Sequence, residues 1–166
     1  QLGKDYVQAG WESYGLSYPE SDLNARARLN LDNLKKAFGV DPFDLNGSLD
    51  LDAKARGKYA MKTVQASLRT KKTVVASIPA FHISCEIKDG SLRYPSLPQP
   101  VKQIFLKIQA DCPDSNYRHA VFRIDSLHAG MLNNYIRGKA RVNAEKDFPL
   151  EGSLQGLVNL GEIQQC

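Results

Sequence analysis

Alternation with a period of two runs through most of this chain, and it restricts the folds open to it. Leu23, Ala25, Ala27, Leu29 and Leu31 alternate with Asn24, Arg26, Arg28 and Asn30. Leu49, Leu51, Ala53 and Ala55 alternate with Asp50, Asp52, Lys54 and Arg56. Phe81, Ile83, Cys85 and Ile87 oppose His82, Ser84, Glu86 and Lys88. Weaker runs follow Val64–Ala66–Leu68, Val74–Ala76–Ile78, Ile104–Leu106–Ile108–Ala110, Phe122–Ile124, Ile136–Ala140–Val142 and Leu150–Leu154–Val158–Leu160. Neighbouring side chains of a strand point to opposite faces, so each run marks a strand with one apolar side. Strands of this kind belong to antiparallel sheets rather than to parallel sheets buried on both faces.

Turn chemistry divides the runs. Gly57-Lys58 interrupts the first long pair, Thr70-Lys71-Lys72 is a polar break, and Lys88-Asp89-Gly90 reads as a hairpin turn. Three prolines between Pro95 and Pro100 exclude a central strand there. Asp111 to Tyr117 and Ala144 to Asp147 are polar connections. Short links between successive strands make a meander. One short helix is predicted, capped by Asp32, with Leu34, Ala37 and Phe38 on its apolar side and Gly39 and Pro42 at its end. The fold class is therefore mainly β: a curved antiparallel meander sheet, either an open groove or a flattened sandwich, with one short helix.

Two echoes bear on organisation. Leu29 to Leu34 resembles Val158 to Ile163, and Leu45 to Leu49 resembles Leu150 to Leu154. A strand running into a helical turn would then close each unit. Residues 1–44 read as the end of a preceding β unit with its helix, and 45–166 as an antiparallel β unit of the same domain. Gln1 to Gly10 lacks the apolar stretch of a signal peptide, and no run reaches the roughly 18 apolar residues of a membrane helix. The pattern begins and ends abruptly, as in a piece of a longer protein.

Hydrophobic residues form 42% of the 166 and charged residues 24%, so the chain has the means to build a core. A net charge of +4 spread along the strands fits a solvated sheet face, with attraction to anionic headgroups as the functional alternative. The cations are not interleaved with aromatics as a nucleic-acid platform requires, so no nucleic-acid partner is expected. Cys85, Cys112 and Cys166 have no zinc spacing. Cys85 reads as a buried free thiol, and a Cys85–Cys112 bridge needs adjacent strands in register.

Signs of catalysis are missing from the pattern. His82, His119 and His128 show neither HxxxH nor HExxH spacing, so no metal is expected. Asp50 and Asp52 form a carboxylate pair, but as outward positions of one strand. Ser48 and Ser153 sit in Gly-Ser-Leu contexts without a nucleophile elbow. No glycine-rich loop opens a helix, so no cofactor is expected. The chain reads as no enzyme.

A short helix cannot cover strands of ten or more residues, about 33 Å long at roughly 3.3 Å per residue. Exposed apolar area of that extent marks a binding surface. The candidate lining is Phe81, Ile83, Ile87, Ile104, Leu106, Ile108, Phe122, Ile124 and Leu154, and the same residues would fill the core of a closed fold. In that closed β-sandwich, Trp11, Tyr6, Tyr14 and Tyr18 would anchor a protein or glycan through the loops.

The block from Ile78-Pro79-Ala80-Phe81 through Lys88-Asp89-Gly90-Ser91-Leu92-Arg93-Tyr94-Pro95-Ser96-Leu97-Pro98 resembles a recurrent stretch of AsmA-like proteins. Val101 to Asp111, Phe122 to His128 and Gly152 to Ile163 extend the resemblance, which covers about Leu23 onward and is closest to Bacteroides-type members, relatives of the TamB- and YhdP-like periplasmic β-groove proteins. The resemblance implies a periplasmic β-structure anchored in the inner membrane and involved in outer-membrane biogenesis, with phospholipid acyl chains moving along an apolar groove. Neighbouring β units of the same chain would be partners, and edge strands could pair two copies as a homodimer.

Overall fold

The computed structural model describes residues 5–14, 20–33, 44–67, 69–97, 99–145 and 148–159. Among these residues ten strands follow in chain order: β1 (Tyr6–Tyr14), β2 (Glu20–Asn30), β3 (Asp44–Lys58), β4 (Ala60–Ser67), β5 (Thr70–Ser77), β6 (Ala80–Arg93), β7 (Val101–Cys112), β8 (Val121–Met131), β9 (Asn134–Asn143) and β10 (Leu150–Leu157). Eight of them form one antiparallel sheet in the order β1-β2-β3-β6-β7-β8-β9-β10, and β4 and β5 pair only with each other. The architecture is a meander with one hairpin excursion between β3 and β6. Among the described residues the sheet does not close, so β1 and β10 are its two edges.

Register follows from the alternation. Residues directly opposite in an antiparallel pair point to the same face, so apolar positions line up strand after strand. One row runs Ala9–Ala25–Ala53–Ile83–Ala110–Phe122–Val142–Leu150. The next runs Val7–Ala27–Leu51–Cys85–Ile108–Ile124–Ala140–Gly152. Leu29–Leu49–Ile87–Leu106–Leu127–Gly138–Leu154 and Trp11–Leu23–Ala55–Phe81–Cys112 flank them. A slip of one residue would turn all of these to the other face.

Charge reinforces the same register from the opposite face. Arg26 donates to Asp52 at 2.8 Å and Arg28 to Asp50 at 2.5 Å, each pair directly opposed on β2 and β3. Lys88 reaches Asp50 at 3.5 Å and Glu86 at 2.9 Å. Hydrogen bonding from Arg28 and the nearby Lys88 charge hold the Asp50 carboxyl below the usual carboxylate range. Its contribution is therefore complete above the unfolded carboxylate value of about 4 and is lost as pH falls through the lower folded value. Urea melts at pH 7 and pH 3 should show a lower midpoint at pH 3. Asp50→Asn should cost about 1 kcal/mol at pH 7 and show a smaller pH difference.

Two expectations need correction. Lys88-Asp89-Gly90 is not a hairpin turn: β6 runs through it to Arg93. The local turn signal is spent on a bulge, with Asp89 at φ 51° and register shifts on both sides of β6. Gly47 on β3 (φ 123°) and Gln103 on β7 (φ 54°) continue this irregular line across neighbouring strands. Bulges bend a strand and increase its twist, so the line is where the sheet curves. The cap assigned to Asp32 is instead Asn30, whose side chain accepts from the Asp32 N–H at 2.9 Å while Leu31–Asn33 enter a helical turn. Leu34 to Gly39 and Pro42 lie outside the described residues.

Little of the sheet is fully buried. A small cluster of Cys112, Ala120 and Ala144 packs with Ile78 and Phe81 at one end of β6 and β7. The Ala144 N–H donates to the Ala120 carbonyl at 2.8 Å and ties the β9–β10 connection to this end. Ala27 and Leu31 are buried on the β2 side. Residues 44 and 45 open β3, which pairs with β2 from Ser48 to Lys58, so strands from both sides of residue 45 lie in one sheet.

Candidate functional site: an open apolar sheet face

All of the candidate lining residues share one face. Phe81, Ile83 and Ile87 come from β6, Ile108 and Leu106 from β7, Phe122 and Ile124 from β8 and Leu154 from β10, at matched register positions. Ile104 stands opposite Gly90, two residues before Leu106, and so points the same way. None of them is buried: Ile83 is 38% exposed, Phe122 48% and Leu154 67%, and the others are half-buried. Among the described residues no second sheet lies over this face, and cover is confined to its Phe81 end, where Ile78, Ala120 and Ala144 pack around Cys112.

The face is not flat. Gly138, Ala140 and Gly152 form a low floor between Ile124 and Leu127 on one side and Leu150 and Leu154 on the other, a depression of about 490 Å³. A side chain at Gly138 would meet the Leu154 methyl at 2.9 Å, so Leu154 lies over that glycine. Leu127 is a lining residue that period-two reading misses. A bulge places Ile124 and Leu127, three apart, opposite Ile108 and Leu106. Val7, Ala9 and Trp11 were missed too, although Gln8, Gly10 and Glu12 alternate with them.

The aromatic anchors do not gather. Trp11 joins the apolar face opposite Leu23, while Tyr6 and Tyr14 lie on the other face opposite Arg28 and Glu20. Tyr18 is outside the described residues. The histidines are spread as well. His82 Nδ1 lies 2.5 Å from Asp111, which also accepts from Arg123 at 2.6 Å on the polar face. His119 pairs with Asp114 in the β7–β8 loop at 2.6 Å, and His128 stacks on Tyr135. The backbone N–H of Asn116 and the His119 ring hold the Asp114 carboxyl low. Among the described residues no three His, Cys, Asp or Glu side chains are grouped to hold a metal ion.

Cys85 and Cys112 are free thiols. β6 and β7 are neighbours, but Cys112 pairs with Phe81, four residues from Cys85. That is roughly 13 Å along the strand, beyond the reach of a disulfide. Burial pushes both thiols up, and Cys112 also donates to the Asp114 carbonyl at 3.2 Å. Cys166 lies outside the described residues.

No family model, curated protein or solved structure matches this chain. Its functional reading rests on the face itself. No helix among the described residues is long and apolar enough to cross a membrane.

Proposed function

We propose that this chain is a non-enzymatic, lipid-handling module from the periplasmic part of an AsmA-like protein anchored in the inner membrane, and that its apolar sheet face shields phospholipid acyl chains during outer-membrane biogenesis. The observation that carries the reading is the set of continuous apolar rows, two of them crossing all eight strands, with no second sheet over them among the described residues and cover only at the Phe81 end. Soluble proteins rarely leave so large an apolar patch in water unless something else covers it. An acyl chain needs no directional polar partner, and apart from the thiols Cys85 and Cys112 the rows present apolar side chains and glycines. The open edges β1 and β10 carry unpaired backbone groups that suit neighbouring β units of the same chain, or a second copy as an edge-strand dimer.

Cys85 sits in the middle of one of the rows and reports occupancy. In a Cys166→Ser chain, alkylation of Cys85 should slow at least fivefold when phospholipid is added. Cys112, buried in the small cluster, should react slowly with or without lipid. Native mass spectrometry on the same samples should show bound phospholipid. An unchanged Cys85 rate together with lipid-free protein would exclude the proposal.

A further inference from the structure

The β4–β5 hairpin carries a positive charge that no acid of its own balances. Between Ala60 and Ser77 the chain has Lys62, Arg69, Lys71 and Lys72 and no Asp or Glu. These four equal the whole net charge of +4, so the remainder of the chain is neutral. The absence of acids extends from Ala53 to Cys85. On the main sheet, by contrast, Arg26 and Arg28 of β2 and Arg56 and Lys58 of β3 face acids across the strands. All four hairpin cations are exposed, and among the described residues none has an acidic partner.

The hairpin is also set apart in the fold. It pairs with no other strand, and a lone two-stranded hairpin is only marginally stable in water. Its base is fixed: the Ser77 hydroxyl donates to the Lys58 carbonyl at 2.8 Å and the Ile78 N–H to the Ser115 carbonyl at 3.1 Å. Lys62 lines a cleft of about 720 Å³ against the 114–118 loop. Arg69, Lys71 and Lys72 line no part of that cleft and cluster at the turn end. Exposed apolar side chains accompany the charge, with Met61 at 54% and Tyr59 at 51%.

We infer that the β4–β5 hairpin is an arm that docks on an anionic lipid surface through Arg69, Lys71 and Lys72. The three cations form no pocket. Gln65 and Lys71 are paired on one face of the hairpin and Val64 and Lys72 on the other, so positive charge surrounds the tip. That distribution suits a diffuse sheet of phosphates rather than one bound anion. A single-stranded nucleic acid would need stacked aromatics beside the cations, and between Ala60 and Ser77 there is none. The inference stands on the hairpin and is independent of whether the apolar face holds lipid.

Each Lys or Arg brought to an anionic bilayer favours attachment roughly fivefold, so three tip cations compound to roughly a hundredfold. The test is sedimentation of the full chain with vesicles of phosphatidylcholine alone and of phosphatidylcholine mixed with phosphatidylglycerol. Binding is expected only to the mixed vesicles and should fall steeply with salt. Arg69→Gln, Lys71→Gln and Lys72→Gln together should lower it at least thirtyfold. The matched control is Arg137→Gln, Lys139→Gln and Arg141→Gln on β9, which removes the same charge and should change binding less than threefold. Equal losses in both triple variants would overturn the inference, as would tighter binding to a single-stranded oligonucleotide than to the mixed vesicles. All these positions are exposed, and circular dichroism of each variant verifies the fold.

Discussion

Gly47→Ala is expected to destabilise the chain by about 3 kcal/mol or more, the largest effect of any single methyl group in the sheet. Gly47 has φ 123°, a region that side chains with a Cβ avoid. A Cβ there would also come within 2.8 Å of the Gly90 Cα and 2.9 Å of the Lys88 carbonyl, both backbone atoms that cannot rotate away. Either the bulge is lost or β3 and β6 part. Gly90→Ala is strained by crowding alone, since its Cβ would lie 2.8 Å from that of Ile104, and about 1–3 kcal/mol is expected. Because Gly47 and Gly90 abut, the double variant should cost less than the two singles added. Gly10→Ala on edge strand β1 meets nothing within 4 Å and should be neutral or slightly stabilising. Urea denaturation of the four variants measures the series. A Gly47→Ala midpoint equal to that of the parent would show that the bulge is not needed.

The sheet was legible in the sequence because alternation is a direct imprint of its faces. The β2, β3, β6 and β7 runs lie in register as their pattern implies, with Leu51 opposite Cys85 and Cys85 opposite Ile108. Legibility failed where local chemistry has two uses. Asp89 takes a positive φ before a glycine, which serves a hairpin and a bulge equally, and only pairing on both sides of β6 decides between them. Leu127 was hidden for the same reason, since a bulge breaks parity within one strand. Val64, Ala66 and Leu68 carried the period of the main sheet, yet β4 pairs only with β5. Alternation specifies faces and leaves partners open. The β6 to β8 part of the face was legible from alternation, Leu127 and the β1 residues were not, and its open state depended on how many strands join one layer.

Phe122→Thr with Leu154→Thr should weaken binding of a fluorescent fatty acid by roughly thirtyfold, because each loses roughly 1 kcal/mol of apolar contact. In a closed core such a pair of substitutions would unfold the protein before it informed on function. Here Phe122 is 48% exposed and Leu154 67%, so much of each side chain is already in water. Threonine brings a β-branched shape that suits a strand. The stability cost should therefore stay near 1 kcal/mol for each, read as a modest shift in urea midpoint. Removing a comparable apolar area from the other face, with Tyr6→Thr and Tyr14→Thr, gives the matched control and should leave fatty-acid binding unchanged. The contrast separates a ligand face from a sheet that is merely sticky. Equal weakening in both double variants would mean that the probe binds exposed apolar surface without preference. A folded Phe122/Leu154 variant with full affinity would remove the β8 to β10 end of the face from the acyl path.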